Sequence, residues 1–141
     1  ESESRGLGDV YKRQGLIEAR SLYDFQINWQ KNYDSKVVQV QKHKNILILQ
    51  LENLAMIGML SDKILWTRST SNPNTEYHIA NGRMYYPSGK SCKVFDIATG
   101  RLLERKAIGI PFYKFIPLRN QNLIWTEQFV FSYAEGSNLP K

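Results

Sequence analysis

At 141 residues the chain is long enough for one domain with a single modest core, and 19 Lys and Arg against 13 Asp and Glu leave a net charge of +6. A single cysteine, Cys92, excludes an internal disulfide framework or a multi-thiolate metal site. No apolar run approaches the roughly 18 residues of a membrane-spanning helix.

In chain order, residues 9–14 (DVYKRQ) read as the translation of a transposon end used in sequencing libraries. Residues 1–14 are therefore set aside as an artefactual or disordered tail. Removing them takes away Arg5, Lys12 and Arg13 but also Glu1, Glu3 and Asp9, so the charge of +6 stands. No initiator Met is present, and the natural start with any signal peptide is expected upstream. Residues 15–141 carry the fold argument.

Residues 22–29 (LYDFQINW) read as the outer end of one sheet, and residues 31–35 as a polar crossing to the next. Residues 36–41 (KVVQVQ) alternate as a strand, with Val38 and Val40 expected on one face. Residues 45–60 are ambiguous alone, because Leu51, Leu54 and Ile57 keep near-helical spacing. Residues 69–75 (STSNPNT) form a loop made irregular by Pro73, and residues 77–79 start the next strand.

The stretch 82–104, GRMYYPSGKSCKVFDIATGRLLE, resolves the ambiguity. Shifted back by 38 residues, it falls without a gap on 44–66, KNILILQLENLAMIGMLSDKILW. Met84, Tyr85 and Tyr86 then fall on Ile46, Leu47 and Ile48, and Val94 and Phe95 on Met56 and Ile57. Asn81-Gly82, Ser88-Gly89-Lys90 and Ala98-Thr99-Gly100-Arg101 supply turns only five to seven residues apart, too close for helices. Glu52-Asn53 becomes a hairpin turn between 46–51 and 54–59, whose apolar residues on both faces suit strands sandwiched between neighbouring sheets. A third repeat begins near Tyr113, with 122–125 in the place of 83–86 and 129–133 near that of 93–97. A period of about 38 residues with four short strands in each repeat predicts an all-β fold: antiparallel four-stranded blades of a partial β-propeller, about three repeats.

The run Val94-Phe95-Asp96-Ile97-Ala98-Thr99-Gly100-Arg101-Leu102-Leu103 resembles the repeat signature of pyrroloquinoline-quinone-type (PQQ-like) β-propellers. In that signature an aliphatic pair, an Asp, a Thr-Gly turn, a basic residue and two aliphatics end at a Trp. Trp66 holds the final position one repeat earlier, after Asp62-Lys63-Ile64-Leu65, and Trp29 does so one repeat before that. Two positions depart from it: Glu104 replaces the Trp, and Gly58 replaces the Asp of the earlier repeat. The resemblance covers about residues 22–136. Members of that family have complete propellers of more blades, so missing blades of the same chain are expected as partners.

Several apparent motifs fail on chemistry. Ser88-Gly89-Lys90-Ser91 contains GKS, but a phosphate-binding loop needs a Gly where Met84 stands and a helix where a strand follows. His43 and His78 lie in different repeats without metal-spaced partners. Asp24, Asp34, Asp62 and Asp96 would make an acid/base couple only on paper, since Asp62 and Asp96 sit at turns whose backbone N–H groups attract carboxylates. Cys92 reads as a buried small hydrophobe, and Trp29 and Trp66 as packing residues recurring at the repeat period. No catalytic, cofactor-binding or metal residue is assigned, and no cofactor is expected.

The basic residues are spread along the chain, and only Arg101, Arg105 and Lys106 cluster, which suits a solvated rim that resists edge pairing better than a nucleic-acid face. The expected function is a non-catalytic propeller segment that acts as a protein-interaction scaffold. The family resemblance implies a bacterial cell-envelope or periplasmic setting, as for members that assist outer-membrane protein assembly. Two alternatives stand beside it: a fragment of a PQQ-dependent dehydrogenase, and a weak binder of nucleic acid or an anionic surface. Exposed strand edges lead one to expect marginal or oligomeric behaviour of residues 15–141 in isolation.

Overall fold

The computed structural model describes residues 2–4, 9–13, 15–20 and 26–133. They form strands and turns, and no helix occurs among them. The first sheet contains β1 (Ser2–Ser4), β2 (Asp9–Arg13), β3 (Leu16–Arg20) and β4 (Ile27–Asn32). The second contains β5 (Val37–His43), β6 (Ile46–Leu51), β7 (Ala55–Leu60) and β8 (Lys63–Ser69). The third is built of β9 (His78–Ala80), β10 (Arg83–Ser88), β11 (Ser91–Asp96) and β12 (Leu102–Ala107). The fourth has β13 (Lys114–Pro117), β14 (Asn122–Trp125) and β15 (Val130–Tyr133). Every sheet is an antiparallel meander in which strands consecutive in sequence are neighbours in space, the arrangement of a propeller blade. Strands β1 and β2 come from the segment set aside on sequence grounds, and β2 pairs with β3 from Asp9 opposite Arg20 to Arg13 opposite Leu16.

Turn chemistry sets the register. Asn81 and Gly82, at φ of 53° and 74°, close a two-residue hairpin between Ala80 and Arg83, as the Asn-Gly pair predicts. Ser88 lies opposite Ser91, so the GKS stretch is a hairpin turn with Gly89 at φ 64°.

The repeat is real, but the ladders give three different offsets, and the gapless shift of 38 residues holds only on the outer strand. His43 and Ile46 flank the first hairpin of the second sheet as Ala80 and Arg83 flank that of the third, so Ile46 corresponds to Arg83, 37 residues on. Leu47 then corresponds to Met84 and Ile48 to Tyr85. Ile46 faces Leu60 and Arg83 faces Asp96, an offset of 36, so Leu60 rather than Gly58 stands at the Asp96 position. Met59 faces Ile64 and Phe95 faces Leu102, which restores 38 on the outer strand. The lengths of the turns compensate: one is long between β6 and β7 and short between β7 and β8, and the reverse holds in the third sheet.

Strand β5 also differs from simple alternation. Its register shifts between Val37 and Gln39, and the extra residue at this bulge puts Val37, 1% exposed, and Val40 against the same core in place of Val38 and Val40.

The chain divides into two compact units. One runs to Asn74 and takes in Ala98–Gly100; the other comprises Thr75–Ile97 and the chain from Arg101 onward. In the first unit Ile17, Leu47, Leu49 and Met59 form the core, with Trp29 and Tyr33 packed on it. Strand β6 is buried on both faces, as expected for a strand between sheets, and even Gln50 is 1% exposed. Its amide reaches Leu51 O at 2.9 Å, Ala55 O at 3.3 Å and Thr70 Oγ1 at 3.0 Å, which pins the β6–β7 loop. Within that loop Leu54 adopts a φ of 76°, and its carbonyl accepts from Thr70 N at 2.8 Å and Thr70 Oγ1 at 3.1 Å.

In the second unit Tyr85, Cys92 and Val94 of the third sheet pack on Phe115 and Ile124 of the fourth, closed by Ile108 and Phe112 from the connecting segment. The rings of Tyr85 and Phe115 stack with centroids 5.6 Å apart.

Candidate functional site

Residues that the sequence brings forward as chemically suggestive are dispersed. His43 ends β5, whereas His78 begins β9 opposite Tyr85. Asp34 and Asp62 are exposed in turns of the first unit, Asp96 ends β11 with its N–H donated to Arg101 O at 2.9 Å, and Asp24 lies outside the described residues. Cys92 is fully buried, and burial pushes its thiol up to about 12. Trp66 is buried in the first unit against Gly58 and Gly100, and Trp29 is half-buried there. These are packing positions. Burial, and then the positive charge of Lys114, hold the His78 imidazole below its ordinary value of 6.5.

Two hollows of the second unit present chemistry to solvent. The first, about 420 Å³, lies between the β12–β13 connection, Ile110 to Tyr113, and the β14–β15 hairpin, Thr126 to Phe129. Thr126 shapes that hairpin: its Oγ1 accepts from Phe129 N at 3.1 Å and Gln128 N at 3.3 Å, the local bonding that favours Thr at a turn. Tyr113 N donates to Trp125 O at 2.9 Å and ties the connection to the sheet. Phe112 points into the core, so its neighbour Tyr113 faces outward at 48% exposure, across from Phe129 at 52%. Two large rings are thus held open to water on a rigid frame.

The second hollow is polar and holds about 570 Å³. Its lining comes from the β9–β10 turn (Asn81), β10 (Arg83, Tyr85), β12 (Glu104, Lys106) and the β13–β14 turn (Arg119, Asn120, Gln121). Strand periodicity explains the gathering. Val94 pairs with both Tyr85 and Glu104, and Cys92 with Lys106, so these side chains share one face of the third sheet. The same alternation sends Arg105 to the opposite face, which divides the Arg101, Arg105 and Lys106 cluster seen in the sequence. Lys106 Nζ lies 3.2 Å from Glu104 Oε2 and its side chain is only 15% exposed, so its ammonium is held in place. Arg83 and Arg119 make no ion pair or side-chain hydrogen bond among the described residues. Sequence reasoning missed this cleft because Arg83, Lys106 and Arg119 become neighbours only through ladder pairing and sheet packing.

No protein-family model and no curated protein matches the sequence. Among solved structures the chain is similar to the computationally designed Ika4 protein, with a TM-score of 0.71 and 15% identity over 96% of this chain and 89% of that one. It is similar to BamB from Moraxella catarrhalis at a TM-score of 0.68 and 11% identity, over 94% of this chain and 48% of that one. A europium-containing methanol dehydrogenase matches at 0.56 and 14% identity, over 72% of this chain and 23% of that one. The chain thus spans less than half the length of BamB and about a quarter of the dehydrogenase. At these identities the likeness is one of fold, and the fold is all-β, built of antiparallel four-stranded blades of the β-propeller type.

Proposed function

We propose that this chain is a non-catalytic β-propeller segment that serves as a protein-interaction scaffold. The observation that supports the reading best is the exposed pair Tyr113 and Phe129, which flank an apolar hollow of about 420 Å³ on loops fixed by backbone hydrogen bonds. Large rings that keep their area in water while their frame stays rigid are the usual anchors of protein recognition, because they bury much area at little cost in side-chain entropy. The occupant that fits is an extended segment of another protein carrying an apolar side chain into the hollow.

A bacterial cell-envelope setting belongs to the same proposal; the resemblance of residues 94–103 to PQQ-like repeats supports it. A fragment of a quinone-dependent dehydrogenase is the alternative reading, favoured by the likeness in fold to a methanol dehydrogenase. Quinone-dependent dye reduction would decide for that alternative.

The test places a photo-crosslinking amino acid at Tyr113 and, as a control, at exposed Arg105. A discrete partner captured from envelope extract at 113 but not at 105, and lost when Phe129→Ala is added, supports the scaffold. Equal capture at both positions, or none, overturns it.

A further inference from the structure

We infer that the polar cleft of the second unit is a binding site for a small organic anion bearing a phosphate or carboxylate group. Three cations line it, Arg83, Lys106 and Arg119, against one carboxylate, Glu104, which is already committed to Lys106 at 3.2 Å. Asp96, the cross-strand neighbour of Arg83, does not line the cleft. The two exposed guanidinium groups make no ion pair among the described residues and line a concave space, and clefts lined mainly by one sign of charge focus field lines on an anion. A guanidinium presents a planar fork of donors that matches the two oxygens of a carboxylate or a phosphate edge.

The remaining lining fits an organic molecule better than a bare ion. Asn81, Asn120 and Gln121 bring side-chain amides, which recognise hydroxyl and carbonyl groups. Tyr85 adds an aromatic side to the floor, held by its stack on Phe115. The volume, about 570 Å³, falls within the range of about 300–1,000 Å³ that small-molecule sites occupy. The β13–β14 turn is closed by Leu118 N donating to Gln121 O at 2.8 Å, so Arg119 is presented from a defined loop. Lys106 is placed by Glu104 before any ligand arrives, which lowers the ordering cost of binding.

This site is separate from the aromatic hollow, sharing none of its lining residues, so the two readings stand or fall independently. The test titrates the full chain with inorganic phosphate and, in parallel, with citrate, by calorimetry at low and constant ionic strength. Saturable one-to-one binding of either anion is expected. It should weaken roughly tenfold or more when Arg83→Gln and Arg119→Gln are combined, as expected for the loss of charge-assisted hydrogen bonds. Lys63→Gln, on an exposed strand of the first unit, should leave binding unchanged. Phosphate binding alone identifies a phosphorylated ligand, and citrate binding alone a carboxylate. Binding that does not saturate, or that weakens equally in the Lys63 variant, reflects net charge only and overturns the site.

Discussion

In the first unit the indole of Trp66 lies directly against Gly58, its partner across the β7–β8 ladder. A Cβ at Gly58 would run into the indole Cε2 and Nε1 atoms, and one at Gly100 would come within 2.5 Å of Cγ. Glycine at position 58 thus has a packing cause: the ring needs that space.

Gly58→Ala is therefore expected to lower stability by about 1–3 kcal/mol through overpacking. Trp66→Ala should cost more, about 3–5 kcal/mol, through the cavity it leaves. Denaturant titration followed by circular dichroism checks both, and a neutral Gly58→Ala would show that the indole is free to move aside.

Leu54 should respond in the opposite direction. Its φ of 76° is a conformation that glycine adopts without penalty, and its side chain is 39% exposed. Leu54→Gly is expected to raise stability by up to about 1 kcal/mol, while Leu54→Ala, which keeps the strain, should not. A thermal melt in which both variants lose stability equally would refute the strain.

The same loop depends on Gln50. Replacing the amide by a hydrocarbon side chain in Gln50→Leu removes the donor that Leu51 O and Ala55 O share. A loss of about 1–3 kcal/mol is expected for the buried carbonyls left behind. Faster amide hydrogen exchange at Ala55 and Thr70 should accompany it, and unchanged exchange would argue that the loop is held by Thr70 alone.

Cys92 should be inert to a thiol reagent at pH 8 in the folded protein and reactive once denatured. Burial raises the folded thiol from its ordinary value of 9.0 to about 12, so the folded state retains a proton that the unfolded chain releases. Stability from this residue is fully present below about pH 9 and lost as the pH climbs towards 12. Cys92→Ala should flatten that alkaline decline; rapid modification at pH 8 would mean that the sheets part readily.

His78 gives a complementary acid limb. Its imidazole is held below 6.5 by burial and by Lys114, so the folded state favours the neutral ring. Its contribution is present above pH 6.5 and is lost as the pH falls below it. His78→Gln should reduce the acid sensitivity of the melting temperature, and an unchanged acid slope in that variant would assign the effect elsewhere.

What the sequence determined by itself was the local geometry. Asn81-Gly82 and Ser88-Gly89-Lys90-Ser91 dictate hairpins because few residues accept a positive φ, and their spacing leaves room only for strands. The recurrence of those turns marked the blades, and the repeat turned the apolar but otherwise ambiguous stretch of β6 into a buried strand. Tertiary structure decided what depends on register and on long-range pairing. The bulge in β5 chose Val37 over Val38, and turns of unequal length moved the counterpart of Asp96 from Gly58 to Leu60. The one-residue shift in β5 reverses the face a side chain occupies, the two-residue shift in β7 changes which residue holds a position, and no local preference records either. The cleft of Arg83, Lys106 and Arg119 arose in the same way, since residues far apart in sequence share a surface only after the ladders have formed and the sheets have packed.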